Sequence, residues 1–99
     1  MAKQVVDKKG NKFQAWNWGT GESPDNNEEL MFLIKNKGVM LDPDCSWRAI
    51  AVENEDVSAS GDAKATLLYN IIRHEGKIID AIDIKVVSRE TFQSEYIFD

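Results

Sequence analysis

The chain has 99 residues, 42% of them apolar and 29% charged, with a net charge of −5 and a single cysteine. That length suits one domain and is short for two. The composition is that of a globular chain rather than a disordered one, and a lone cysteine rules out an internal disulfide. The longest apolar run, Leu30 to Ile34, falls far short of the ~20 residues that span a bilayer. The first residues, Met-Ala-Lys-Gln-Val-Val-Asp, lack the apolar stretch of a secretion signal. A reducing cytoplasm is the expected compartment, because small extracellular domains usually carry disulfides.

In chain order, Gln4-Val5-Val6 and Lys12–Trp18 flank the turn-forming Asp7–Asn11, which predicts a β-hairpin. Gly19–Glu22 reads as a loop. Ser23-Pro24-Asp25 is a helix start, with Ser as cap and Pro at the first helical position. Leu30, Met31, Leu33 and Ile34 supply an apolar face, Lys35 and Lys37 suit the negative end of the dipole, and Gly38 suits a left-handed terminator. The spacing predicts a helix over 24–37. Val39–Leu41 is a short strand, Asp42-Pro43-Asp44 a turn, and Ser46–Val52 a strand apolar on both faces, hence central.

Glu53 to Gly61 is polar enough to be a solvent-facing loop. Asp62 to Glu75 reads as a second helix, since Leu67, Leu68, Ile71 and Ile72 recur at helical spacing and Gly76 stops it. Lys77–Val87 is a strand in which Ile82, Ile84 and Val86 alternate with polar residues. The tail reads in two ways: a short helix capped by Ser88, with a Val87–Phe92 staple, or a strand through Phe92, Ser94, Tyr96 and Phe98. The helix is preferred. The fold class expected is α+β, a small mainly antiparallel sheet with an N-terminal hairpin and both helices on one face. The other face is then solvated, covered by the tail or covered by a partner, and an uncovered sheet face makes a homodimer possible.

Charge is unevenly placed. Residues 1–12 hold four lysines against one aspartate, and residues 13–62 hold three basic residues against ten acidic ones. An acidic surface repels nucleic-acid phosphates, so direct nucleic-acid binding is not expected. Opposite potentials favour a protein partner with a basic surface.

Trp16 and Trp18 are two apart on a strand and so share a face. Such a face most often packs under a helix; left open, two indoles offer an anchor for a partner. Trp47, in the central strand, is expected in the core. Cys45 and His74, each unique, would be the only thiol–imidazole pair for nucleophilic chemistry, but no nucleophile motif surrounds them. Glu53, Glu55 and Asp56 lack the residue order of a calcium loop, and one Cys with one His gives zinc no ligand set. Gly19-Thr20-Gly21 lacks the further glycines of a phosphate loop. Asp80, on an apolar strand face, is either exposed at the strand's start, catalytic, or paired with a residue such as Arg48.

These features favour a non-enzymatic protein-binding module of inhibitor, immunity or adaptor type, without cofactor or metal. Trp16 and Trp18 would anchor the partner, and Glu53, Glu55 and Asp56 would steer it. Two alternatives stand beside it: a small oligomeric enzyme or ligand binder with a site near Cys45 and His74, and an acidic mimic of nucleic acid that blocks a DNA-handling protein.

Overall fold

The computed structural model describes residues 3–19 and 23–99. In chain order the elements are β1 (Lys3–Asp7), β2 (Lys12–Trp16), a 3-10 turn (Pro24–Asn26), α1 (Glu28–Asn36), β3 (Val39–Leu41), β4 (Ile50–Glu53), β5 (Ser58–Gly61), β6 (Thr66–His74), β7 (Lys77–Val87), α2 (Arg89–Glu95) and β8 (Tyr96–Phe98). Two antiparallel sheets result, one of five strands in the order β7-β6-β2-β1-β8 and one of three in the order β3-β4-β5. The mixed α+β class agrees with the sequence; the single sheet does not.

The N-terminal hairpin forms as expected, with Val5 opposite Phe13. Asp7 shapes its turn by accepting from the backbone N–H groups of Lys9 and Asn11. Ser23 makes no side-chain cap, and the Pro24 turn is separate from the helix. Asn27 caps α1 instead, its Oδ1 accepting from the Leu30 N–H at 3.1 Å. Gly38 ends the helix at φ 71°, as a left-handed terminator should.

The largest correction concerns residues 62–75. Asp62 does not open a helix: its carboxylate accepts from the Lys64 N–H and its carbonyl from the Ala65 N–H, which makes a tight turn. The chain then runs as β6, the strand between β7 and β2. Leu67 and Tyr69 enter one core cluster while Leu68 enters another. A strand buried on both faces reads as a continuous apolar run, and periodicity cannot separate that from a buried helix. Glu75 and Gly76 join β6 to β7 with φ values of 52° and 81°, matching the two positive φ angles of a two-residue hairpin turn.

The first cluster lies between the sheets: Trp16, Leu67, Tyr69, Ala81 and Ile84 of the larger meet Val39, Ile50 and Val52 of the smaller, with Leu30 and Leu33 from α1. The second, Val5, Phe13, Ala15 and Leu68, is covered by the tail through Phe92 and Tyr96. The helices α1 and α2 therefore serve opposite faces of the five-stranded sheet, not one. Ser88 caps α2 as expected, accepting from the Thr91 N–H, and the tail is helix first and strand second. Residues 46–49 are irregular, and residues 58–61 form β5 instead of loop.

Sheet edges are short or bent. The outer strands β8 and β3 have three residues each and β5 has four. The long outer strand β7 carries two register irregularities against β6, and Asp83, at φ 56°, falls within one of them. Bulges of this kind twist an edge away from further pairing. No helix is long and apolar enough to cross a membrane among the described residues.

Two glycines at positive φ separate conformational from steric demand. A Cβ on Gly38 would fall on the carbonyl oxygen of Glu53, whereas one on Gly10 (φ 86°) would meet nothing within 4 Å. Urea unfolding should therefore show Gly10→Ala costing about 1 kcal/mol, the strain of a left-handed residue, and Gly38→Ala costing roughly 3 kcal/mol or more, because backbone must also move. Equal costs would mean that α1 and the Glu53 backbone do not press together as described.

Candidate functional site

The residues singled out by sequence separate into a buried set and a surface set. Trp16 is 2% exposed and lies in the main core cluster, with Trp18 half-buried against it. Their rings meet edge to face at 4.9 Å between centroids. They do share a side, but it faces inward: the two-indole surface platform is replaced by a core contact between the sheets. Removing an indole from that position costs about 3–5 kcal/mol, so Trp16→Ala reports folding, not binding.

Trp18 has a different use. Its indole N–H donates to the carbonyl of Ala49 at 3.0 Å. Ala49 ends the irregular loop 42–49, and the same carbonyl accepts from the Asp42 N–H at 2.9 Å. Loop ends are thus clasped to each other and tied to the core. Within the loop, Asp44 N–H donates to the Asp42 carboxylate and Cys45 N–H to the Asp42 carbonyl. Compact loops with joined ends display side chains from a fixed base. What this loop displays is Trp47, expected in the core but 70% exposed.

Trp47 lines an open depression of about 510 Å³ with Arg48, Glu53, Ser58, Ala59 and Ser60. The Arg48 guanidinium carbon lies 5.9 Å from the Trp47 ring centroid, and its Nη2 is 4.0 Å from Glu53 Oε2. On the outward side of the three-stranded sheet, Met40, Ala51 and Ser60 stand in register. Met40 is exposed there too.

The acidic residues Glu53, Glu55 and Asp56 are all exposed, and Glu53 lines this depression. Glu53 ends β4, Glu55 and Asp56 occupy the turn that leads to β5, and Asn54 builds that turn. Its Oδ1 accepts from the N–H groups of Asp56 (2.8 Å) and Val57 (2.9 Å), while its Nδ2 donates to the Lys37 carbonyl (2.8 Å) at the end of α1. Sequence reasoning missed Asn54. The signal is present, since an Asn two residues past the apolar Ile50–Val52 is a turn-forming residue. Glu22, Thr20 and Gly21 lie outside the described residues.

The remaining candidates are not drawn together. His74 is exposed at the β6–β7 turn, 3.8 Å from Glu75. Cys45 is half-buried in the clasped loop, and no hydrogen bond joins it to His74 among the described residues. No three His, Cys, Asp or Glu side chains there are grouped to hold a metal ion. Asp80 pairs with Lys37 at 2.6 Å, not with Arg48. Of the other acids, Glu29 is held by Arg73 and by the Tyr69 hydroxyl. Comparison of the chain with protein-family models, curated proteins and solved structures finds no match.

Two expectations follow. Asn54→Ala removes three hydrogen bonds, two of them partly buried, and should cost about 2 kcal/mol in urea unfolding, with loss of amide protection at Asp56 and Val57; unchanged protection there would show that the turn holds without it. The Lys37 hydrogen bond, then the Ala81 N–H, lowers the Asp80 pKa below 3.8. A lowered carboxylate stabilises the fold above its unfolded pKa and loses that contribution as pH falls through its folded pKa. The stability difference between the native chain and Asp80→Asn should thus be steady above about pH 5 and shrink below pH 3.8. A difference independent of pH would contradict the ion pair.

Proposed function

We propose that this chain is a non-enzymatic protein-binding module. Its docking surface is the depression between the 42–49 loop and β5, anchored by Trp47 and lined by Glu53, with Glu55 and Asp56 in the adjoining turn. The observation that carries this reading is the exposure of Trp47 on a loop clasped at its base. An indole in water forgoes roughly 2 kcal/mol or more of burial, and Trp is the side chain most enriched where binding energy concentrates. Rigid display limits the entropy lost on docking. The acidic turn supplies the charge that brings a basic surface to it.

The roles assigned to Trp16 and Trp18 change accordingly. Trp16 holds the sheets together, and Trp18 holds the loop. Glu53, Glu55 and Asp56 keep their steering role.

The test is affinity capture from the native host with the wild-type chain, Trp47→Ala and the pair Glu55→Lys/Asp56→Lys, followed by reconstitution with the purified partner. Trp47→Ala should weaken the reconstituted complex about 30-fold or more. The charge-reversed pair should slow association at low salt and lose that difference as salt rises. A partner held equally by wild type and Trp47→Ala would refute this surface.

A further inference from the structure

The contacts around Trp47 point to the chemistry of what binds there. Arg48 reaches over the indole and toward Glu53, and makes both contacts at their outer limit. Its guanidinium carbon sits 5.9 Å from the ring centroid, at the outer limit of about 6 Å for attraction between a cation and an aromatic face. Its nearest approach to Glu53 is 4.0 Å, beyond the roughly 2.7–2.9 Å of a charge-assisted hydrogen bond. No hydrogen bond satisfies its guanidinium among the described residues. The Arg48 and Glu53 side chains are 37% and 65% exposed, so both are in reach of a visitor.

An aromatic face beside a carboxylate is a receptor for a planar cation: the ring takes its face and the carboxylate its N–H edge. Exposed Ser58 and Ser60 line the same depression and offer hydroxyl acceptors for the remaining N–H groups. Exposed Glu55 and Asp56 add negative potential nearby.

We infer that Trp47 and Glu53 form a subsite for an arginine side chain of the protein partner, and that Arg48 is an internal stand-in that this arginine displaces. The inference rests on the docking surface proposed above and names what that surface takes. Docking exchanges one loosely held guanidinium for another that stacks closer and bonds Glu53 directly. Arg48 then turns to solvent. It is a competitor within the chain, and its removal should improve binding.

The probe is an acetylated, amidated tetra-arginine peptide, titrated into the full chain while the Trp47 indole N–H is followed by NMR at about 0.15 M salt. Arg48→Gln, which keeps most of the stem, should bind about 3- to 10-fold more tightly than wild type. Lys64→Gln removes the same charge from an exposed position elsewhere and should stay within about twofold. Trp47→Leu, which lacks that indole and is followed instead at the backbone amides of Glu53 and Ser60 in the same depression, should show no saturable shift, and Glu53→Gln should weaken it. The tetra-lysine peptide should bind less well, since an ammonium has no planar face to stack.

If Arg48→Gln binds no more tightly than Lys64→Gln, the stand-in role is wrong. If tetra-lysine matches tetra-arginine, the subsite does not read a guanidinium. Either result, with capture of the native partner still dependent on Trp47, would leave the docking surface intact and remove only the subsite. Loss of dependence on Trp47 in both experiments would remove both.

Discussion

The structure depends on burying β6 from both sides. Leu67 and Tyr69 face the three-stranded sheet and α1, and Leu68 faces the tail. Each face needs its own cover, so the chain builds one layer from its middle and another from its C-terminal end. Neither layer suffices alone, because a strand with one bare apolar face would leave the large side chains of that face in water. Spending the C-terminal segment on the second face also decides where the free surface lies. It includes the outer side of the small sheet and the loop beside it, along with Ile72, Ile79 and Ile82 on β6 and β7 and Ile97 and Phe98 on β8 of the larger one.

That loop draws its order from afar. Asp42 and Ala49 close it, and Trp18, 31 residues earlier in sequence, ties it to the core. The acidic turn next to it is fixed by Asn54 to the end of α1, and Gly38 lets the Glu53 backbone approach the same helix end. Trp47 and the carboxylates are therefore held from two independent supports, a tryptophan strut on one side and a helix terminus on the other. Both supports belong to the core, so the surface is organised by the fold itself.

Legibility in the sequence followed the range of the interactions involved. The first hairpin, the body and end of the helix read over 24–37 (its start lies at Asn27, not Ser23), β7 and the Ser88 cap rest on local signals: a glycine turn, an apolar stripe with a terminator, period-two alternation and a capping hydroxyl. Those were readable. The strand β6 was not, because two-sided burial erases alternation and Leu67, Leu68, Ile71 and Ile72 happen to satisfy helical spacing as well. Its decisive local clue was Glu75-Gly76, which serves a helix end and a two-residue hairpin turn equally well on paper. Trp47 was placed in the core because Ser46–Val52 reads as one strand; the Asp42–Ala49 clasp that prevents it joins residues across a loop and leaves no pattern in the sequence. Of the polar Glu53–Gly61 segment, which reads as loop throughout, only 54–57 is a turn, with Ser58–Gly61 forming β5; Asn54, which builds the turn, carries no charge to mark it among its acidic neighbours.

The clasp between Asp42 and Ala49 has a consequence for how such a molecule can change. Because the loop returns to its starting point before the sheet resumes, the six positions between its ends are mechanically uncoupled from strand pairing on either side. Residues there can be exchanged, or their number altered, while β3 and β4 keep their alignment, since the entropy of closing a somewhat longer loop rises only slowly with its length. The scaffold and the displayed segment are thus free to diversify at different rates, one held by packing and the other answerable only to whatever it meets.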